Sequence, residues 1–181
     1  MRIEDKRSTT SWVPAVEILD AAIPHFRKQN FASIRKVVLL DQDYHKGPQA
    51  IGRYCAINGS KLADVELYFK WYENLPHEAR QSKLYLTFMI VSTLMHEIYH
   101  HVIRGQHRLR QPDFKTEQQR ADRWGDGAAG HVVNKLYPRD QYEPEWKRIQ
   151  RILREAQASP AAAPTTANEP ARGEFPTGTV L

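Results

Sequence analysis

The chain has 181 residues, a formal net charge of +5 and one cysteine, Cys55. That length suffices for a single domain with a buried core. The lone cysteine excludes an internal disulfide, and the modest positive charge permits contact with nucleic acid or an acidic surface without arguing for either.

The N-terminal stretch, Met1 to Ser11, is charged and polar. It reads as a flexible lead with no secretory signal behind it, so a cytoplasmic protein is expected. Val13 to Phe31 has helical spacing at Val13, Val16, Ile18, Leu19, Ala22, Ile23 and Phe26. Pro14 suits a first turn, and Pro24 ends or kinks the helix. Val37 to Leu40 is a short continuous apolar run before Asp41, the pattern of a buried strand. Asp41 to Gln49, with Gly47-Pro48, reads as a loop.

Ile51 to Ile57 and Leu62 to Phe69 read as two strands joined at Asn58-Gly59. A type I′ turn needs positive φ at both central residues, which Asn-Gly supplies. Val65, Leu67 and Phe69 alternate inward, which leaves Asp64 and Lys70 facing solvent. Such a hairpin either covers the core or borders an active cleft, where its edge pairs with an extended peptide.

From Glu78 to Arg104 neither Pro nor Gly interrupts, so one long helix is expected, ending at Gly105. Its apolar run, Leu84 to Met95, is too short to span a bilayer and carries Thr87, Ser92 and Thr93. Gln106 to Lys115 is a basic loop. Glu117 to Leu136 is a second helix despite Gly125, Gly127 and Gly130, and Pro138 ends it. Glu145 to Gln157 is amphipathic, with Trp146, Ile149, Ile152, Leu153 and Ala156 on one face. The segment 157–181 is rich in Ala, Pro and Thr and reads as a disordered tail, which leaves 12–156 as the folded domain. No internal repeat is visible.

The first long helix carries H-E-x-x-H as His96-Glu97-Ile98-Tyr99-His100. Residues four apart share a helix face, about 6 Å apart along the axis. Two imidazoles so placed reach one ion at about 2.0–2.1 Å each. Glu97 lies one step round, too far to be a ligand from the same turn, and is placed to act as general base on a metal-activated water. The uncharged neighbours Leu94, Met95, Ile98, Tyr99 and Val102 supply an apolar surround.

A catalytic zinc usually takes three protein ligands. The second helix offers Glu117, Asp122 and Asp126, and His107 and His131 are the other candidates. H-E-I-Y-H-H closing an apolar helix, followed by E-Q-Q-R-A-D-R-W-G at 117–125, resembles the zincin metallopeptidases. Within them it is most similar to the small gluzincin-like cytoplasmic enzymes of the ImmA/IrrE type, over roughly residues 37–137. The resemblance implies an α+β domain, with a short sheet and hairpin packed on an active-site helix and further helices around it. It also implies a zinc peptidase acting on a protein or peptide, with His96 and His100 as ligands and Glu97 as base. The family's ligand Glu falls four residues before an Asn or Asp. Four before Asp122 is Gln118, a poor zinc ligand, and Glu117 points about 100° away. Glu117 is expected as third ligand if the helix only begins there. Otherwise Asp122 binds, with Asp126 one turn on as partner to a histidine.

His107 does not complete a metzincin pattern, because Ile103 and Gln106 stand where that pattern wants Gly and His. His131 follows Gly130 a little as in SprT-type proteases, at a long separation from His100. His101 faces another way, which fits packing or a surface position. Tyr99, His101 and His131 are candidates for stabilising an oxyanion.

Two further readings stand beside the peptidase. One is a catalytically weak or inactive regulatory or binding protein on the same fold, which the imperfect third-ligand register favours. The other is association with nucleic acid through Arg104, Arg108, Arg110, Lys115, Arg120 and Arg123.

Overall fold

Val37 and Leu39 are fully buried and stand in register beside Val65 and Leu67 of a neighbouring strand. This apolar pairing is the centre of the sheet in the computed structural model, which describes residues 1–8, 10, 12–42, 51–58, 61–106 and 114–158. The strands are β1 (Arg2–Asp5), β2 (Ile34–Leu40), β3 (Gly52–Ala56) and β4 (Ala63–Tyr68). Their order across the sheet is β1-β2-β4-β3. β1, β2 and β4 are parallel, and β3 returns antiparallel at the edge. The helices are α1 (Ala15–Ala22), α2 (His77–Gln81), α3 (Lys83–Gln106), α4 (Phe114–Leu136) and α5 (Arg139–Ala158). The fold is α+β, as expected.

α3 is the spine. Leu86, Met89, Ile90, Val91, Leu94, Met95 and Ile98 are all buried, and so are Thr87, Ser92 and Thr93, so its middle is largely apolar and enclosed. A helix of that kind must be covered all round. It packs on β3 and β4, on α1 and α5, and most extensively on α4. Among the described residues no helix is long and apolar enough to cross a membrane.

The start of the chain corrects the expectation of a flexible lead over Met1 to Ser11. Arg2–Asp5 forms β1 and pairs with Lys36 to Leu39 of β2. Only Ile3 packs against the core, and Glu4 pairs with Lys36 at 2.7 Å. A polar edge strand of this kind has little hydrophobic signature. Arg7 then fastens the segment. Its side chain is only 3 % exposed and donates to both oxygens of Asp5 and to the carbonyls of Thr10 and Val13 at 2.8–3.0 Å. Its guanidinium lies 4.4 Å from the centre of the Phe69 ring. Arg7→Ala should therefore cost about 1–3 kcal/mol, because two carbonyls and a carboxylate lose a charged donor. Denaturant unfolding checks this, and a change under about 0.5 kcal/mol, the usual effect of a plain surface substitution, would show that the clamp carries no weight.

Other boundaries shift for local reasons. α1 ends at Ala22, and Pro24 sits in a 3-10 turn over Ile23–His25, since proline has no N–H for a continuing helix. The helix expected from Glu78 is two helices. Ser82 breaks it by accepting the Tyr85 N–H on its Oγ at 3.1 Å, and so caps α3. The β3–β4 hairpin closes with Ile57 N donating to Leu62 O at 3.1 Å, while Gly59 of the expected Asn58-Gly59 turn lies outside the described residues. Asp64 is largely covered by its pair with Arg35, and Lys70 is exposed. α5 begins earlier than expected and contains Pro144. Its Ile149 is buried and Trp146 packs 4.8 Å from Phe88, so the predicted face docks. Gln157 and Ala158 belong to α5, and the remainder of the expected tail, 159–181, lies outside the described residues.

Candidate metal centre

α3 and α4 lie antiparallel and very close. Gly125 makes this possible: a Cβ there would sit 2.5 Å from the Ser92 carbonyl oxygen and 3.2 Å from the His96 nitrogen. Around this contact the two helices form a ladder. Ser92 Oγ donates to Asp126 Oδ1 at 2.6 Å. One turn on, His96 Nδ1 meets Asp122 Oδ1 at 2.9 Å. A further turn on, His100 meets both Glu117 and Gln118. Each step of four along α3 is matched by a step of four back along α4, so Ser92, His96 and His100 face Asp126, Asp122 and Gln118.

The histidine geometry follows. His100 Nδ1 lies 2.7 Å from Glu117 Oε1, and a carboxylate only accepts, so Nδ1 carries the hydrogen. The same holds for His96 and Asp122. The two Nε2 atoms are thereby left as lone-pair donors, and they face each other 3.1 Å apart. Bare lone pairs at that distance repel, unless a proton or a cation lies between them. Two nitrogens bound to one tetrahedral zinc at about 2.0–2.1 Å each would stand about 3.3 Å apart, so the pair fits that ion. Carboxylates on the outer nitrogens are also the usual means of orienting zinc-binding histidines. His100 is buried and His96 half-buried. Burial acts to lower the His96 pKa, but the Asp122 hydrogen bond and the charges of Glu97 and Asp122 outweigh it, with a contribution from Gln118, and the net shift is upward.

Glu117 and Asp122, the expected third ligand and its alternative, are thus both found on outer ring nitrogens rather than where the Nε2 atoms converge. Asp122 takes the histidine-orienting part expected of Asp126, while Asp126 accepts from Ser92. The physical reason is the helix register: α4 begins at Phe114, three residues ahead of Glu117, so Glu117 is already inside a regular helix and off the facing stripe. Among the described residues, no group of three or more His, Cys, Asp and Glu side chains is placed to hold a metal ion. His107 lies outside the described residues. His131 is exposed on α4, five residues past Asp126 at the end of the ladder.

Glu97 is 8 % exposed and packs under the edge strand. A Cβ at Gly52 of β3 would come within 3.0 Å of the Glu97 Cγ and Oε1 and 2.8 Å of Thr93 Cγ2. Only glycine leaves room there for the carboxylate. Among the described residues β3 pairs with β4 alone, so it is an edge strand, and Glu97 lies against its face at Gly52. His101 turns away from the pair: its Nε2 donates to the Ala32 carbonyl at 2.9 Å and its Nδ1 lies 3.3 Å from the Tyr54 hydroxyl. It is a packing residue that ties α3 to β3. Burial pushes the Cys55 thiol up to about 11, which favours the protonated thiol near neutral pH. The Tyr99 ring packs tilted at 54° against Trp124 of α4, with centroids 5.8 Å apart.

Gly52, Gly125, Ser92 and Gln118 had no place in the expected site. The spacing of four that relates Ser92, His96 and His100, mirrored by Gln118, Asp122 and Asp126, is the signal that could have located two of them. No family model, curated protein or solved structure matches the chain.

Proposed function

We propose that the protein is a zinc-dependent peptidase of zincin-like design, acting on peptide bonds of a protein substrate. The observation that carries this reading is the pair of Nε2 atoms 3.1 Å apart with both Nδ1 atoms held by carboxylates. His96 and His100 hold the ion through Nε2, while Asp122 and Glu117 fix the ring orientations. Zinc, when bound, supplies a Lewis acid that polarises a carbonyl and acidifies a nearby water. Glu97 takes the proton of the attacking water and returns it to the leaving amine. Its burial against Gly52 holds the carboxylate under β3, an edge strand of the described sheet. That edge offers an extended peptide main-chain hydrogen bonds, and it sets the scissile bond over Glu97.

The test is metal content of the purified protein. His96→Ala and His100→Ala should each remove most bound zinc. Stoichiometric zinc retained by the double variant would refute the assignment. A second reading, a zincin-like binding or regulatory protein with little activity, is favoured by the lack of a third His, Cys, Asp or Glu ligand among the described residues.

A further inference from the structure

The third corner of the centre can be read from the ladder. Gln118 faces His100 from α4, and its side-chain amide nitrogen lies 3.4 Å from His100 Nε2, the nitrogen that points at the centre. His96 Nε2 lies 3.1 Å from that same His100 nitrogen. The amide therefore stands where both rings converge, whereas Glu117 and Asp122 stand behind them. A half-turn of the amide about its terminal torsion exchanges nitrogen for the carbonyl oxygen at the same place. Carbonyl oxygen is a competent neutral donor to a cation, weaker than carboxylate.

Resting on the zinc reading above, we infer that the Gln118 side-chain amide is the third protein donor of the centre, so that its inner donors, His96, His100 and Gln118, carry no charge. The negative charge lies one layer out, on Glu97, Asp122 and Glu117. A neutral donor set binds zinc more weakly than two histidines and a carboxylate, because ligand charge contributes directly to cation affinity. Loading and unloading of the centre would then follow the free zinc concentration, a regulatory property that a glutamate at this position would remove.

Zinc affinity of the full chain, measured by competition with a chelating dye and with zinc alone as the probe, tests this. Circular dichroism verifies that each variant is folded. Gln118→Ala should weaken binding by about 10-fold or more, and Gln118→Glu should tighten it by about 10- to 100-fold, at least the scale on which a mere outer-layer partner acts. The visible absorption spectrum of the Co²⁺-loaded protein should shift in Gln118→Glu, since a charged oxygen replaces a neutral one among the donors. Unchanged zinc affinity and an unchanged cobalt spectrum in both variants, with His100→Ala still abolishing binding, would overturn the part assigned to Gln118 and leave the two-histidine centre standing. Gln118 likewise loses that part if His107→Ala abolishes binding while Gln118→Ala does not. Failure of the wild-type chain to bind zinc at all would overturn the centre itself together with this inference.

Discussion

Replacing Glu97 with Gln should leave the fold and the zinc content intact while peptide cleavage falls by about 10²–10⁴-fold, the usual contribution of a positioned acid–base group. The substitution keeps size and hydrogen-bonding capacity but removes the base. Gln fits where Glu fits, in the space that Gly52 and Thr93 leave beside the carboxylate. Zinc should persist, because Glu97 lies one step round α3 from His96 and points away from the face that His96 and His100 share. Comparison of proteomes from cells carrying the wild-type or the variant chain, followed by metal analysis of both proteins, measures the two quantities together. Cleavage at the wild-type rate would remove Glu97 from the mechanism. A biological effect that persists with no cleavage in either protein would favour the binding-protein reading.

The second large effect is expected at Gly125. Alanine normally gains about 1 kcal/mol over glycine inside a helix. Here the new methyl would lie 2.5 Å from the Ser92 carbonyl oxygen, which is backbone and cannot swing aside. α4 must move off α3, and overpacking of that kind costs about 1–3 kcal/mol, occasionally more. Gly125→Ala should therefore show a net loss of stability, and also weaker zinc binding, because the contact lies between the Ser92–Asp126 and His96–Asp122 rungs. Gly127 supplies the control: nothing lies within 4 Å of a Cβ there, so Gly127→Ala should stabilise the chain by about 0.5–1 kcal/mol. Denaturant unfolding of the two variants side by side decides the matter. Equal, favourable changes in both would show that α3 and α4 are not held as closely as this contact requires.

What was legible in the chain is what depends on near neighbours. The relation of His96, Glu97 and His100 is fixed by helix periodicity alone, and α3 forms because Leu84 to Met95 is largely apolar and free of Pro and Gly. β2 announces itself by its apolar run, β4 by its alternation, and the β3–β4 hairpin by Asn58-Gly59. β1 does not, because an edge strand stabilised by Glu4–Lys36 and by the Arg7 clamp hides little apolar surface.

The remaining features belong to long-range packing. Whether Glu117, Gln118 or Asp122 faces the histidine pair depends on the rotation and register of α4 against α3, which the spacing of four in α4 alone does not fix. They are set at a distance, by the close approach at Gly125 and by the Ser92–Asp126 hydrogen bond. The same holds for Gly52, whose missing side chain matters only because the sheet order brings the edge strand β3 over Glu97. The two histidines and the acid between them were already fixed by their spacing along the chain. Packing of α4 and β3 on α3 selected the groups that surround them, because those contacts join residues far apart in the chain.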